Sequence, residues 1–93
     1  REEDFARWPA SWSYADVLPY FVRTEHDHDF TGPDHGTTGP VPVRRRSAST
    51  LADISSAFVA AAAEVGHPTE EDKNGGEPSG VGPVPLNVSD EHE

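Results

Sequence analysis

Cysteine and methionine are both absent from the 93 residues. Without a thiol the chain can form no disulfide and offer no thiolate to a metal or a substrate. Apolar residues are scarce at 33% of the chain, and no apolar run reaches the roughly 18–20 residues that span a membrane. Positive charge is nearly missing from one half: residues 1–46 carry eight acids and six basic residues, residues 47–93 nine acids and only Lys73. That acidic half excludes nucleic acids and anionic membranes as natural partners. The chain opens on Arg1-Glu2-Glu3-Asp4, without an initiator Met or a signal peptide. A start lying upstream would make that silent about export.

What is present is Gly, Pro and acid. Eight glycines, nine prolines and a formal net charge of −10 place the chain near the composition of unstructured segments. Ordering the backbone costs about 1–2 kcal/mol per residue, and little apolar surface is available to offset it. Yet the apolar residues fall in ordered-looking groups. The two facts agree if the chain is a piece of a larger protein whose core other residues complete, and not an autonomous domain.

Residues 2–8 suit a short helical turn showing Phe5 and Trp8 on one side, stopped by Pro9. Ser13 as N-cap with Asp16 three residues on has the form of a capping box. Tyr14, Val17, Leu18 and Phe21 follow at i, i+3, i+4 and i+7 and share a helical face; Pro19 predicts a kink or restart. Residues 26–40 are polar and rich in Gly and Pro, a long loop of the kind that serves as a flap. Val41-Pro42-Val43 alternates as a strand confined to a sheet edge by its prolines. Residues 50–65 form the clearest helix, with Thr50 and Asp53 as a second capping box and a stripe of Leu51, Ile54, Phe58, Ala62 and Val65. Gly66 and Pro68 end it. Residues 67–80 are loop, and Gly82–Val88 suits a proline-interrupted strand.

Several of these strings occur together elsewhere. Trp12-Ser13-x-x-Asp16-Val17-Leu18-Pro19-Tyr20-Phe21 closely resembles the "WS-x-x-DVLPYF" segment of the glucose–methanol–choline oxidoreductases. His35-Gly36-x-x-Gly39-Pro40 is similar to their "HG-x-x-GP" turn. Phe58, Ala61, Ala62 and Gly66 resemble a helix of that family, and Pro68-x-x-x-Asp72-x-Asn74 a following loop. Gly80-Val81-Gly82-Pro83-Val84-Pro85-Leu86-Asn87 resembles the "GVGPVPLN" strand of bacterial members. The matches come in order and cover nearly the whole chain. The end departs: Ser89-Asp90-Glu91-His92-Glu93 lacks the Gly and Arg of the family's "DG-x-R-x-S".

The resemblance implies an α+β fragment of a two-domain flavoprotein, a Rossmann-type FAD domain plus a substrate domain, with helices, short edge strands and long loops in this part. Residues 1–93 would form a single segment of the substrate domain and its lid. The implied reaction is oxidation of an alcohol CH–OH group, with hydride transfer to FAD. The cofactor would be bound mainly outside these residues, since no Gly-x-Gly-x-x-Gly cradle occurs here, and the family's catalytic His lies beyond Glu93. No catalytic, cofactor-binding or metal residue is therefore assigned, and Asn87 is the one residue placed at the substrate pocket. Expected partners are the remaining fragments of the same flavoenzyme and a small-molecule alcohol, with bacterial cytoplasm as the expected location.

Other constellations carry weaker chemistry. Glu25-His26-Asp27-His28-Asp29 could bind a divalent ion, with His35 or Asp34 folding back as a third ligand. That supports the alternative of a small acidic metal- or protein-binding module built on the His26/His28 loop, although a solvated lid loop is the simpler expectation. Glu70-Glu71-Asp72 has no adjacent His and suits a solvated loop. Arg44-Arg45-Arg46 suits a strand end or an ion-pairing patch more than phosphate binding. The aromatic residues Trp8, Trp12, Tyr14, Tyr20 and Phe21 suit core anchors, with Trp12, Tyr14 and Phe21 buried mainly against chain outside these residues. The loop over residues 26–39 is expected to be mostly exposed, with few apolar contacts and no metal.

Overall fold

A computed structural model describes residues 1–76 and 78–89. Glu2–Phe5 and Ala10–Trp12 are single 3-10 turns on either side of Pro9. They bring Phe5 within 5.2 Å of Trp8, 6.1 Å of Tyr14 and 6.2 Å of Phe21, ring centre to ring centre. Helix α1 runs over Tyr14–Thr24. Ser13 caps it by accepting the Asp16 amide at 3.3 Å. The other half of the capping box is replaced: Asp16 accepts the Ser13 hydroxyl at 2.7 Å. Pro19 lies inside α1 without breaking it. Both Pro19 and Ala15, whose carbonyl loses its amide partner, are exposed, so water can satisfy that carbonyl.

The chain leaves α1 directly into strand β1, Glu25–Asp27, where a loop was expected. Residues 28–40 then return it to β2, Val41–Val43, the scale of connection a parallel pair requires. β1 and β2 pair in parallel, with Glu25 opposite Val41, His26 opposite Pro42 and Asp27 opposite Val43. The return crosses the free side of β1: the Asp27 amide donates to Gly36 at 2.8 Å and the Gly39 amide to Glu25 at 2.9 Å. At Gly36 a Cβ would collide with the Val22 carbonyl, and at Gly39 with the Thr24 carbonyl. The spacing of the His35-Gly36-x-x-Gly39 turn is thus a packing requirement against the end of α1.

Helix α2 spans Asp53–Glu64. The expected Thr50 cap is not used. The N-cap is Ala52, without a side-chain cap bond, while Thr50 turns back to the Ser47 carbonyl at 3.1 Å. The C-terminus closes as the sequence predicts. The Gly66 amide bonds Ala63 at 3.1 Å and the His67 amide bonds Ala62 at 3.0 Å, a Schellman pair. Gly82–Val88 forms no strand. Two isolated bridges hold that region, Val81 to Thr69 and Leu86 to Arg44.

The interior is small. Val17 and Val43 are the buried apolar residues. The radius of gyration is 14.9 Å, against about 12 Å for a compact domain of this length. The expected stripe on α2 is present but uncovered, with Ile54 81%, Phe58 69% and Val65 76% exposed. Within the chain Trp12 is 54% and Phe21 57% exposed, and Tyr14 is half-buried.

Candidate functional site

What this chain does bury is charge. Asp27, His35, Arg45, Glu70 and Asp72 are all buried, and four of them meet at one point. β1 supplies Glu25 and Asp27, the return connection supplies His35, the residues after β2 supply Arg45, and the 69–76 loop supplies Asp72. The parallel register sets this up. Asp27 lies opposite Val43, so Arg45, two residues on, reaches back across the end of β1.

Arg45 Nη1 donates to both Asp27 carboxylate oxygens, at 3.0 and 2.9 Å, and Nη2 donates to Asp72 Oδ1 at 2.9 Å. The Arg45 amide donates to Asp29 at 2.6 Å. The guanidinium lies 4.7 Å from the Phe30 ring centre, a cation–π contact, and Phe30 stacks on His35 with ring centres 6.0 Å apart. Asp27 Oδ1 also accepts the amides of Asp29 at 2.9 Å and Phe30 at 3.0 Å. Burial alone pushes the Asp27 carboxyl up, but those two amides and Arg45 outweigh it and hold it below its ordinary value.

His35 is held at both ring nitrogens. Nε2 lies 2.5 Å from Asp72 Oδ2. Nδ1 lies 3.2 Å from Glu25 Oε2 and 3.1 Å from Asp27 Oδ2. Burial pulls the imidazole pKa down, and the hydrogen bond and charge of Asp72, then Glu25, more than reverse it, so it stands above its ordinary value. With both nitrogens facing carboxylates, the arrangement suits a protonated ring that donates at both. An imidazolium so engaged has no free nitrogen with which to act as a general base.

A second buried acid, Glu70, pairs with Arg1 and with Lys73 at 3.2 Å. Burial raises its pKa; Arg1 and Lys73 more than offset that and lower it. Lys73 also donates to the Gly80 carbonyl at 3.0 Å, which ties the 69–76 loop to the following segment.

Glu25, Asp27 and His35 place one possible ligand atom each within 4.8 Å of one another. The donor set does not suit a cation. Asp27 is already occupied by Arg45 and two amides, and the guanidinium repels a metal from the position between the carboxylates. His26 and His28 do project together, their rings stacked 4.1 Å apart. Their expected third ligands lie elsewhere, since His35 is inside the ion cluster and Asp34 accepts the Tyr14 hydroxyl at 3.4 Å. Burial, then the Asp34 charge, raises the Tyr14 pKa.

Asn87 is exposed and donates to the Pro42 carbonyl at 3.4 Å. It lies outside a groove of about 480 Å³ lined by Phe5, Tyr14, Leu18, Phe21, Val41 and Val43 with Glu25, Asp34 and Lys73 among its polar residues. Two expectations are corrected. The 26–39 stretch is not mostly exposed: seven of its fourteen residues are exposed, and Asp27, His35 and Gly36 are buried; Asp27 and His35 point into the ion cluster. The 70–72 acids are not a solvated run, since Glu70 and Asp72 are buried and only Glu71 is exposed. Of the arginine run, Arg45 pairs with Asp27 and Asp72. Asp90–Glu93, where the family pattern departs, lie outside the described residues.

Comparison with known proteins accounts for this odd interior. No family model matches the chain. An uncharacterized GMC-type oxidoreductase in the thcA 5' region of Rhodococcus erythropolis is 52% identical over 87 residues, 94% of this chain and 18% of that protein. The chain belongs to the GMC-type oxidoreductases. An oxygen-dependent choline dehydrogenase of Rhizobium rhizogenes is 44% identical over 84 residues, 86% of this chain and 15% of that protein. Pyridoxine 4-oxidase from Mesorbium loti superposes with a TM-score of 0.84 at 32% identity, over 97% of this chain and 18% of that one. The chain therefore spans less than a fifth of the length of these GMC relatives. Its α+β architecture of two helices and a two-stranded sheet is a fragment of the GMC fold. No helix among the described residues is long and apolar enough to cross a membrane.

Proposed function

We propose that these residues serve in an FAD-dependent oxidoreductase acting on an alcohol CH–OH group, where they build the substrate domain and its entrance and leave the chemistry to residues elsewhere. The 52% identity to a GMC-type oxidoreductase across 94% of the chain carries this reading. The names of the other relatives point to choline and to pyridoxine, both of which carry alcohol groups.

Gly36 and Gly39 meet the chain's own backbone and leave no cradle for a pyrophosphate, and Arg45 is committed to Asp27 and Asp72. The flavin, held by other residues, supplies the hydride acceptor. The contribution of this segment is shape. The ion cluster fixes the 28–40 connection against the 69–76 loop. The exposed faces of α1 and α2 are the surfaces on which the remaining polypeptide packs, the partner this reading requires.

The complete polypeptide tests this. It should purify yellow, and anaerobic mixing with an alcohol substrate should bleach the flavin bands. Replacing Thr31 and Pro33, both exposed at the tip of the connection, should change KM while leaving flavin content intact. A preparation that takes up no FAD, or a tip variant that loses flavin while staying folded, would overturn the assignment.

A further inference from the structure

We infer that His35 is a protonation-dependent latch: with both ring nitrogens charged and donating, it bolts the 28–40 connection to the 69–76 loop, and loss of one proton releases it. The geometry carries this. His35 faces Asp72 through Nε2 at 2.5 Å and Glu25 and Asp27 of β1 through Nδ1 at 3.2 and 3.1 Å. The other faces hold the Phe30 ring and, beyond Asp27 and Asp72, the Arg45 guanidinium with Asp29 3.6 Å from it. When His35 is charged, two cations balance half of the four carboxylates gathered from two stretches of chain. When it is neutral, Arg45 alone faces Glu25, Asp27, Asp29 and Asp72.

The neutral ring also changes its hydrogen bonding. One nitrogen becomes an acceptor, and it then confronts a carboxylate oxygen with no proton between them. Whichever nitrogen keeps its proton, one side of the latch turns repulsive. Asp72 is the member with the alternative of leaving, since it rides on the 69–76 loop, whereas Glu25 and Asp27 are fixed in β1. The Asp72 carboxylate also accepts the Asn74 amide at 3.0 Å, so its departure unravels that turn. The raised pKa of His35 puts the release on the alkaline side of an ordinary histidine.

Hydrogen exchange of the complete polypeptide tests the latch, read by mass spectrometry in peptides covering residues 25–45 and 68–76 and normalised at each pH to an unstructured reference. Between about pH 6 and about pH 9, opening of both peptides should rise by up to about tenfold per pH unit from the ordinary histidine pKa up to the raised folded-state value of His35 and level off above it, as expected for one proton. His35→Gln should hold both peptides open with no such pH dependence. Asp72→Asn, which removes one carboxylate and keeps the shape, should make the rise level off at a lower pH. It decides the matter should His35→Gln fail to fold. A wild-type profile flat across the range, a His35→Gln profile that still titrates, or an Asp72→Asn profile that levels off at the same pH as wild type would overturn the inference.

Discussion

Helix α2 and the ion cluster invert the usual arrangement of a folded chain. The helix carries Ile54, Phe58 and Val65 in the open. The cluster, built from four separate stretches, hides Asp27, His35, Arg45 and Asp72 from solvent. A self-contained domain does the opposite, because burying paired charge yields little net stability while burying aliphatic and aromatic side chains supplies most of it. The cluster contributes specificity: it joins residues 25–29, 35, 45 and 72 in one geometry. The apolar stripe on α2 contributes nothing until something covers it. One region is complete within this chain, and the other, on the proposed reading, is half of an interface.

The largest effect expected is at Arg45. Arg45→Met in the complete polypeptide leaves Asp27 and Asp72 buried with too little positive charge, and it should cost about 3–5 kcal/mol, seen as a large drop in Tm or as failure to accumulate. Phe58→Asp on α2 should cost about 3 kcal/mol in the same polypeptide, from lost apolar burial and an unpaired charge in the interface. A Tm within a degree of wild type would mean that α2 faces water, and the comparison would fail.

Next come the pH limits. Asp27 and Glu70 have lowered pKa values in the fold, so their stabilisation is present above the ordinary carboxylate range and is lost as pH falls through the lowered values. His35 has a raised value, so its contribution is complete below the ordinary histidine pKa and is lost as pH rises through the folded one. Urea midpoints of the complete polypeptide should therefore fall at both ends, and His35→Gln should remove the alkaline fall alone. Ser13→Ala removes the α1 cap and should cost about 1 kcal/mol. Thr50→Ala should change stability by less than about 0.5 kcal/mol, because the α2 N-cap is Ala52.

The readable parts of the sequence were those set by local chemistry. Ser13, the 3.6-residue spacing of Tyr14, Val17, Leu18 and Phe21, and Gly66 act within a turn or two of themselves, and both helices lie where that spacing puts them. The ion cluster escaped because nothing local announces it. Asp72 is 37 residues from His35, and Arg45 is 18 from Asp27. In isolation a Glu-Glu-Asp run or a triple arginine looks like solvated surface. One signal was available: Glu25-His26-Asp27-His28-Asp29 concentrates charge in a stretch that proves to be a strand paired on one side and crossed on the other, where some of that charge had to find buried partners. Pro19 does not restart the helix, since the carbonyl it frees, that of exposed Ala15 in the first turn of α1, is open to water.

The direct test of the inverted arrangement is hydroxyl-radical footprinting of the native complete polypeptide, read at Ile54, Phe58, Trp12 and Phe21. Each is more than half exposed within this chain. Strong protection of all four, released only on global unfolding, is the predicted result. Native labelling of Ile54 and Phe58 at the rate of the unfolded chain would show that α2 meets solvent, and that the account of this chain as one side of an interface is wrong.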